Sequence, residues 1–396
     1  MLDIAVKEYF MIHNLLSAYL ADTLEPVVKW GGVGLLIALA VFVTVHLITK
    51  QKNKRLFSGV LKGVFFFVFA LGIFLLILEI AKKFNTAYLE DNWVSLDVIY
   101  YVLLPLLVTL TVAFVGGFLY FLLQKKKASA SKKILKIFGT IFAVCVVITL
   151  ILVGIHFATN INGDGYYTGE DAKLNSVMLY VSAVAIIVLT LLVAFILGRK
   201  DKSPFDSKTI AFAGITIALS FTLSYIKLWD MPTGGSVTLV SFLPIMLFSF
   251  VYGTKKGLLV GFLYGLLQAV QDPWLIHPAQ FLLDYPLAFS CVCYAGVFTD
   301  LNLFNRSEPL KFALSALLAG TFRYVCHVLS GVFAFGAYAI DAGATNLFTF
   351  SLVYNSYVFI DVALVIIAGA LLLSSKAFSK ELGKLKNKSN DKRLAS

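Results

Sequence analysis

Long apolar runs recur along this chain, separated by short polar stretches, and several reach the roughly 18–20 residues needed to cross a bilayer core of about 30 Å. In the first half they predict five spans at 27–49, 62–82, 98–124, 134–158 and 176–198. A basic stretch at 199–208, interrupted by Pro204, reads as a linker. Six further segments follow at 208–229, 236–252, 257–271, 279–299, 311–338 and 348–374, the third of them short and polar at its end. The expected class is therefore an all-α integral membrane protein of about eleven transmembrane helices, the last six forming one bundle.

Charge distribution orients these spans. Basic clusters occupy alternate loops: Lys50 to Arg55, Lys125 to Lys136, Arg199 to Lys202, Lys255 with Lys256, and the tail from Lys376 to Arg393. The intervening loops carry Glu90, Asp91 and Asp97, then Asp164, Glu170 and Asp171, then Asp341. Positive residues favour the cytoplasmic side, so the pattern places the N-terminus outside and the basic tail inside a bacterial cell membrane. The N-terminal residues Asp3, Lys7 and Glu8 do not resemble a cleavable signal peptide. The expected organisation is an N-terminal membrane domain over 1–200, a six-helix domain over 201–378, and a basic cytoplasmic tail over 379–396.

Composition closes off other classes. Of 396 residues, 59% are hydrophobic and only 14% charged. That leaves too few polar side chains to cover a water-facing surface. The net charge of +11 is spread over loops rather than gathered into a base-reading face, so a nucleic-acid partner is not expected. Cys145, Cys291, Cys293 and Cys326 lie in apolar runs and lack metal-site spacing, so neither metal nor disulfide is expected. No catalytic constellation is present in the spans, and no GxxxxGK[ST] loop occurs, so the chain is read as a non-enzyme without a cofactor of its own.

Polar side chains inside spans are costly and tend to mark sites. They concentrate after residue 200: Gln268, Gln271, Asp272, His277, Gln280, Asp284, Arg323, His327, Asn355 and Asp361. On the predicted topology Asp284, His327 and Asn355 share the outer third of the membrane, under the loop carrying Trp274. His277, Gln280 and Asp284 recur at i, i+3 and i+7, which is one helical stripe. Aromatic residues Trp274, Tyr285, Phe335, Tyr338, Phe350, Tyr354 and Tyr357 lie at the same level. Such rings form an interfacial belt in many membrane proteins, or they attract an organic cation. The convergence of Asp284, His327 and Asn355 favours a site for a flat, cationic, amine-bearing ligand. Arg323 and Asp361 fall at similar depth and are expected to pair, with Arg323 also able to floor the pocket. Gly257, Gly261 and Gly265 predict close intramolecular packing, whereas Gly214 with Ala218, beside Ala211, predicts a flat face for another membrane subunit.

The strings GGSVTLVSFLPI (234–245), YGTKKGLLVGFLYGLLQ (252–268), HPAQFLLDYPLAF (277–289) and RYVCHVLSGV (323–332) resemble the thiamine-specific S component of energy-coupling factor transporters over about 205–378. The resemblance implies a thiamine-capturing subunit that works with a transmembrane coupling subunit and two cytoplasmic ATPase subunits, the partners using the ATP. It implies pocket roles for Asp284, Tyr285, His327, Asn355 and Trp274, with Phe335 and Phe350 replacing a Trp and a Tyr seen in some members. Where some members carry an acidic residue and a Trp, this chain has Gly235, Ser236 and Leu239, and the Gly-Gly-Ser version is itself familiar in the family. The small-residue docking motif of the first S-component helix is altered, Ala211 being followed four residues later by Ile215. The first five spans lie outside the resemblance and are read as an accessory module. The alternative is a solitary proton- or ion-coupled transporter of thiamine or a related heterocycle, with Arg323, Asp361 and Asp284 as the relay.

Overall fold

A computed structural model describes residues 99–124, 128–160, 172–199, 201, 205–232, 234–272, 274–275, 277–304 and 307–394. The expected spans 27–49 and 62–82, with His46 and Glu79, lie outside the described residues. Every expected span that falls on described residues meets helix. The protein is an all-α integral membrane protein, with one short hairpin in its described part. Six described helices are long and apolar enough to cross a membrane.

Residues 105–396 form one compact unit. Three long helices come first: α1 (Leu104–Gln124), entered through a π turn at Ile99–Leu103, α2 (Ala128–Asn160) and α3 (Ala172–Gly198). Their surfaces are mostly exposed Val, Ile, Leu and Phe, the composition expected of lipid-facing helices. The Thr109 and Thr149 hydroxyls meet at 3.2 Å and join α1 to α2.

Helix α4 (Ser207–Ser224) opens with Asp206 as N-cap, its carboxylate accepting from the Thr209 N–H at 2.9 Å. Two expectations need correction here. The run 208–229 does not stay helical, and 236–252 is not helical throughout. Helix α4 ends at Ser224 and strand β1 (Lys227–Asp230) follows, pairing antiparallel with β2 (Ser236–Thr238) before α5 (Leu243–Tyr252) begins. Pro232 cannot continue a helix, and Gly234 (φ 92°) and Gly235 (φ 87°) take the left-handed region that closes the turn. Met231 N–H then donates to Gly235 C=O at 3.0 Å.

Helix α6 (Thr254–Gln271) packs along α7 (Pro278–Asp300). Its three glycines explain the closeness of that contact. A Cβ at Gly257 would meet Ser249 and the Cys293 backbone, one at Gly261 the Phe289 carbonyl, and one at Gly265 the Tyr285 carbonyl. Helix α7 is irregular: an α turn to Leu282, a π turn over Leu283–Leu287, and a 3-10 stretch over Cys291–Gly296. Pro286 lies in the π turn, where its missing N–H and its ring prevent regular i to i−4 bonding.

Helix α8 (Glu308–Ala334) is capped by Ser307, and the short α9 (Gly336–Asp341) follows it. The last apolar run is broken at Asn355 and Ser356 into α10 (Leu347–Tyr354) and α11 (Tyr357–Ser374). Helix α8 packs most extensively on α7 and next on α11. The tail forms α12 (Lys376–Leu394), which turns back so that Lys386 pairs with Glu308 at 2.5 Å and lies 4.0 Å from the Phe250 ring centroid.

Candidate ligand-binding site

One cleft gathers the polar side chains of the second half. It is walled by the hairpin, the loop after α6, and helices α7, α8, α10 and α11. Among its lining residues are Asp284, Tyr285, His327, Asn355, Trp274, Phe335, Gly235 and Ser236, together with Arg323. Asp361 is not on the wall but directly behind Arg323.

Asp284 stands in the π turn of α7, which turns its carboxylate toward α8. That carboxylate accepts from Gln280 Nε2 at 2.7 Å and from Ser330 Oγ at 2.7 Å, and it meets His327 Nδ1 at 3.0 Å. With Nδ1–H donating to a carboxylate, the neutral His327 ring has its acceptor at Nε2. That Nε2 is buried and has no hydrogen-bond partner among the described residues. Asn355 caps α10, its Nδ2 donating to Ser351 C=O at 2.9 Å and to His327 C=O at 3.3 Å.

Arg323 and Asp361 are brought together, Nη1 donating to Oδ2 at 3.0 Å, with side chains 8% and 1% exposed. The pair is not isolated, since Asp361 Oδ1 also accepts from the Thr238 N–H and Thr238 Oγ1, both at 3.2 Å. A buried ion pair holds only when its remaining lone pairs are used, and the hairpin strand supplies those donors. The guanidinium lies 4.1 Å from the Phe242 ring centroid and 5.5 Å from that of Phe289, two rings stacked 5.4 Å apart. This layer floors the cleft.

Aromatic rings form the walls. Trp274 meets Phe335 edge-on at 6.1 Å and Tyr338 at 5.9 Å, while Phe350, Tyr354 and Tyr357 form a second group. Tyr285 Oη donates to Asp272 C=O at 2.5 Å and accepts from the Trp274 N–H at 2.7 Å, fixing the loop above the site. Tyr354 Oη donates to Gly234 C=O at 3.0 Å and ties the hairpin turn to α10. Val240, at φ 49°, turns the chain from β2 toward α5. A β-branched residue there costs of order 1–3 kcal/mol. The Thr238 bonds to Asp361 and to Ser241 Oγ (2.6 Å) hold the turn in place.

One expectation about this stripe is corrected. His277 does not face the cleft with Gln280 and Asp284. It is the N-cap of α7, in extended conformation, and its fully buried ring points to α3 instead. An N-cap residue is outside the helical repeat, so 3.6-residue spacing does not locate its side chain. Sequence reasoning also missed Ser330, Thr238 and Ser241. Ser330 carried a usable signal, lying three residues after His327 on the face that also bears Arg323.

The residues expected to form a docking face stand apart from the cleft. Ala211 and Gly214 are exposed on α4 and Ala218 is half-buried, and a Cβ added at Gly214 meets nothing within 4 Å.

A bundle of membrane-crossing helices thus encloses an acidic, aromatic-walled cleft, the architecture of a multi-pass membrane protein with a candidate small-molecule site. The family described as "Thiamine transporter protein (Thia_YuaJ)" matches residues 210–381. Thiamine transporter ThiT of Bacillus subtilis (strain 168) is 37% identical over 134 residues, covering 32% of this chain and 68% of the relative. Thiamine transporter ThiT of Lacticaseibacillus paracasei is 30% identical over 172 residues, covering 40% of this chain and 83% of the relative. The chain belongs to this thiamine transporter family, and residues before 210 lie outside the match.

Proposed function

We propose that this protein is the substrate-binding membrane subunit for thiamine uptake, holding thiamine in the cleft at Asp284 and delivering it through an ATP-driven energy-coupling module. The observation that carries the reading is the Asp284 carboxylate, held by three donors in an aromatic-walled cleft where the other buried charge, Arg323, is neutralised by Asp361. Such a cleft carries net negative charge and suits a cation. The thiazolium ring supplies that cation, and aromatic faces add about 0.5–2 kcal/mol for each well-placed ring. The aminopyrimidine half supplies N–H donors for Asp284.

In this reading the cleft opens to the exterior, the N-terminus lies outside and α12 lies in the cytoplasm. The face of α4 bearing Ala211, Gly214 and Ala218 meets the transmembrane coupling subunit, which works with two cytoplasmic ATPase subunits. The chain itself performs no catalysis. The test is thiamine binding to the purified full chain by tryptophan fluorescence quenching, followed by uptake into vesicles with and without the coupling subunits and ATP. Saturable binding together with ATP-dependent uptake supports the proposal. Uptake that persists without the partners and collapses with a proton uncoupler replaces it with a proton-coupled transporter.

A further inference from the structure

Helix α3 lies wholly outside the family match, yet it runs along α6, α7 and α8 of the matched bundle. Its contacts with α7 are specific. Ser176 Oγ lies 2.8 Å from His277 Nε2, and the Tyr180 ring packs against the His277 imidazole at 4.8 Å and 63°. Farther along, Thr190 Oγ1 meets Tyr294 Oη at 3.2 Å. Ser176 and Thr190 are about 21 Å apart along a helix, so α3 follows α7 rather than touching it once. Just past the end of α3, Asp201 and Lys256 form an ion pair at 2.7 Å with both side chains nearly inaccessible, anchoring this end to α6.

His277 is the point where this contact reaches the site. Its Nδ1 accepts from the Ala279 N–H at 3.0 Å, so the proton of the neutral ring is on Nε2 and donates to Ser176 Oγ. The ring therefore does two jobs at once, capping α7 and gripping α3. The turn it caps, Pro278–Leu282, is only five residues long before the π turn interrupts the helix. So short a piece does not hold its own geometry in isolation. On that turn sits Gln280, fully buried, whose Nε2 donates both to Asp284 Oδ2 at 2.7 Å and to Trp274 C=O at 3.0 Å. A small rotation of the turn breaks one bond or both.

We propose that α3 is a positioning strut for the ligand site: Ser176 and Tyr180 hold the His277 cap, the cap holds the first turn of α7, and Gln280 on that turn sets the Asp284 carboxylate and the Trp274 loop. Ser176, Tyr180 and His277 are positioning residues, since none of them lines the cleft. The N-terminal segment thereby acquires a role in ligand affinity through a contact that the matched region alone cannot make. The thiamine reading enters only through the affinity measurement.

The test uses the full-length protein carrying Ser176→Ala, Ser176→Thr, His277→Ala or His277→Asn. Hydrogen exchange in ligand-free protein reads the order of 277–285 directly, and thiamine titration reads the consequence. Ser176→Ala and His277→Ala are expected to speed exchange in 279–285 about fivefold or more, leaving α8 unchanged. Losing one buried hydrogen bond in the strut is expected to weaken thiamine binding about three- to tenfold. Ser176→Thr, which keeps the hydroxyl, restores both, and His277→Asn, whose side-chain oxygen replaces Nδ1 as the capping acceptor, restores part. Unchanged exchange at 279–285, a rise spread evenly over α8 as well, or a Thr variant no better than Ala overturns the proposal. If the parent protein fails to bind thiamine, the ligand reading falls while the exchange arm still decides the strut.

Discussion

Replacing Asp284 by Asn removes the charge of the cleft while keeping its shape, and the expected loss follows from the surroundings. The carboxylate is held by Gln280, Ser330 and His327, so it does not swing away to solvent. A ligand cation seated about 5 Å from it, at an effective dielectric near 20, gains about 3 kcal/mol. The Asn amide also turns an N–H toward one of the three existing donors, which costs the site part of its order. Together these predict a loss of at least about 3 kcal/mol, a rise in Kd of roughly 150-fold or more. The assay is fluorescence titration of the purified protein, with Trp274 on the cleft wall as the natural reporter. Thiamine is compared with its neutral hydroxymethyl-aminopyrimidine half, which lacks the thiazolium charge. The substitution should weaken thiamine at least about tenfold more than the neutral half. An equal loss for both ligands, or a loss for thiamine under about threefold in folded protein, refutes the charge argument.

Removing one member of the buried Arg323–Asp361 pair, as in Arg323→Met or Asp361→Asn, is expected to cost about 3–5 kcal/mol in thermal unfolding. The double variant Arg323→Met with Asp361→Leu should be more stable than either single one, and a double variant worse than both would contradict this. Gly261→Ala drives a methyl into the Phe289 carbonyl and should destabilise by about 1–3 kcal/mol, whereas Gly214→Ala meets open space and should be neutral or gain up to about 1 kcal/mol. Gly235→Ala places a Cβ on the Tyr357 hydroxyl at a φ of 87° and should lower ligand affinity more than overall stability, read by titration and melting of the same sample. His277 lies just before the α7 span, and burial lowers its pKa to about 4. Between the ordinary value near 6.5 and about 4, the unfolded state binds a proton that the folded state refuses. Stability should therefore be flat above that window and fall by up to about 3 kcal/mol as pH drops through it. The His277→Asn variant should lose that slope.

The helices were legible because lipid imposes length and hydropathy together, and no loop among the described residues imitates both. Their interruptions were not. Leu228, Trp229, Val237 and Leu239 extend the apolar runs through the hairpin, so hydropathy continues where the helix has already ended at Ser224. Pro232, Gly234 and Gly235 were the available warning, since they break helices for reasons independent of hydrophobicity. The break at Asn355 and the π turn at Leu283–Leu287 carry fainter signs, Asn355 with Ser356 in the one and Pro286 in the other, inside runs that are otherwise apolar.

The site was legible where a side chain is costly in lipid. Asp284, Arg323, His327, Asn355 and Asp361 stand out against apolar spans, and the cleft or the layer behind it contains all five. Ser330, Thr238 and Ser241 were hidden because hydroxyls are cheap in membrane helices and commonly bond to their own backbone, as Thr109 does to Pro105 C=O. His277 was misplaced for the opposite reason. A buried imidazole was conspicuous, but its neighbours Gln280 and Asp284 offered a ready stripe, and nothing in the matched region names Ser176 or Tyr180 as its partners. Those two lie about a hundred residues earlier, in a helix that reads as uniformly apolar. A polar group can thus be essential to a site while pointing away from it, and its sequence neighbours do not reveal this. Only the packing of α3 on α7 shows where the His277 ring is held.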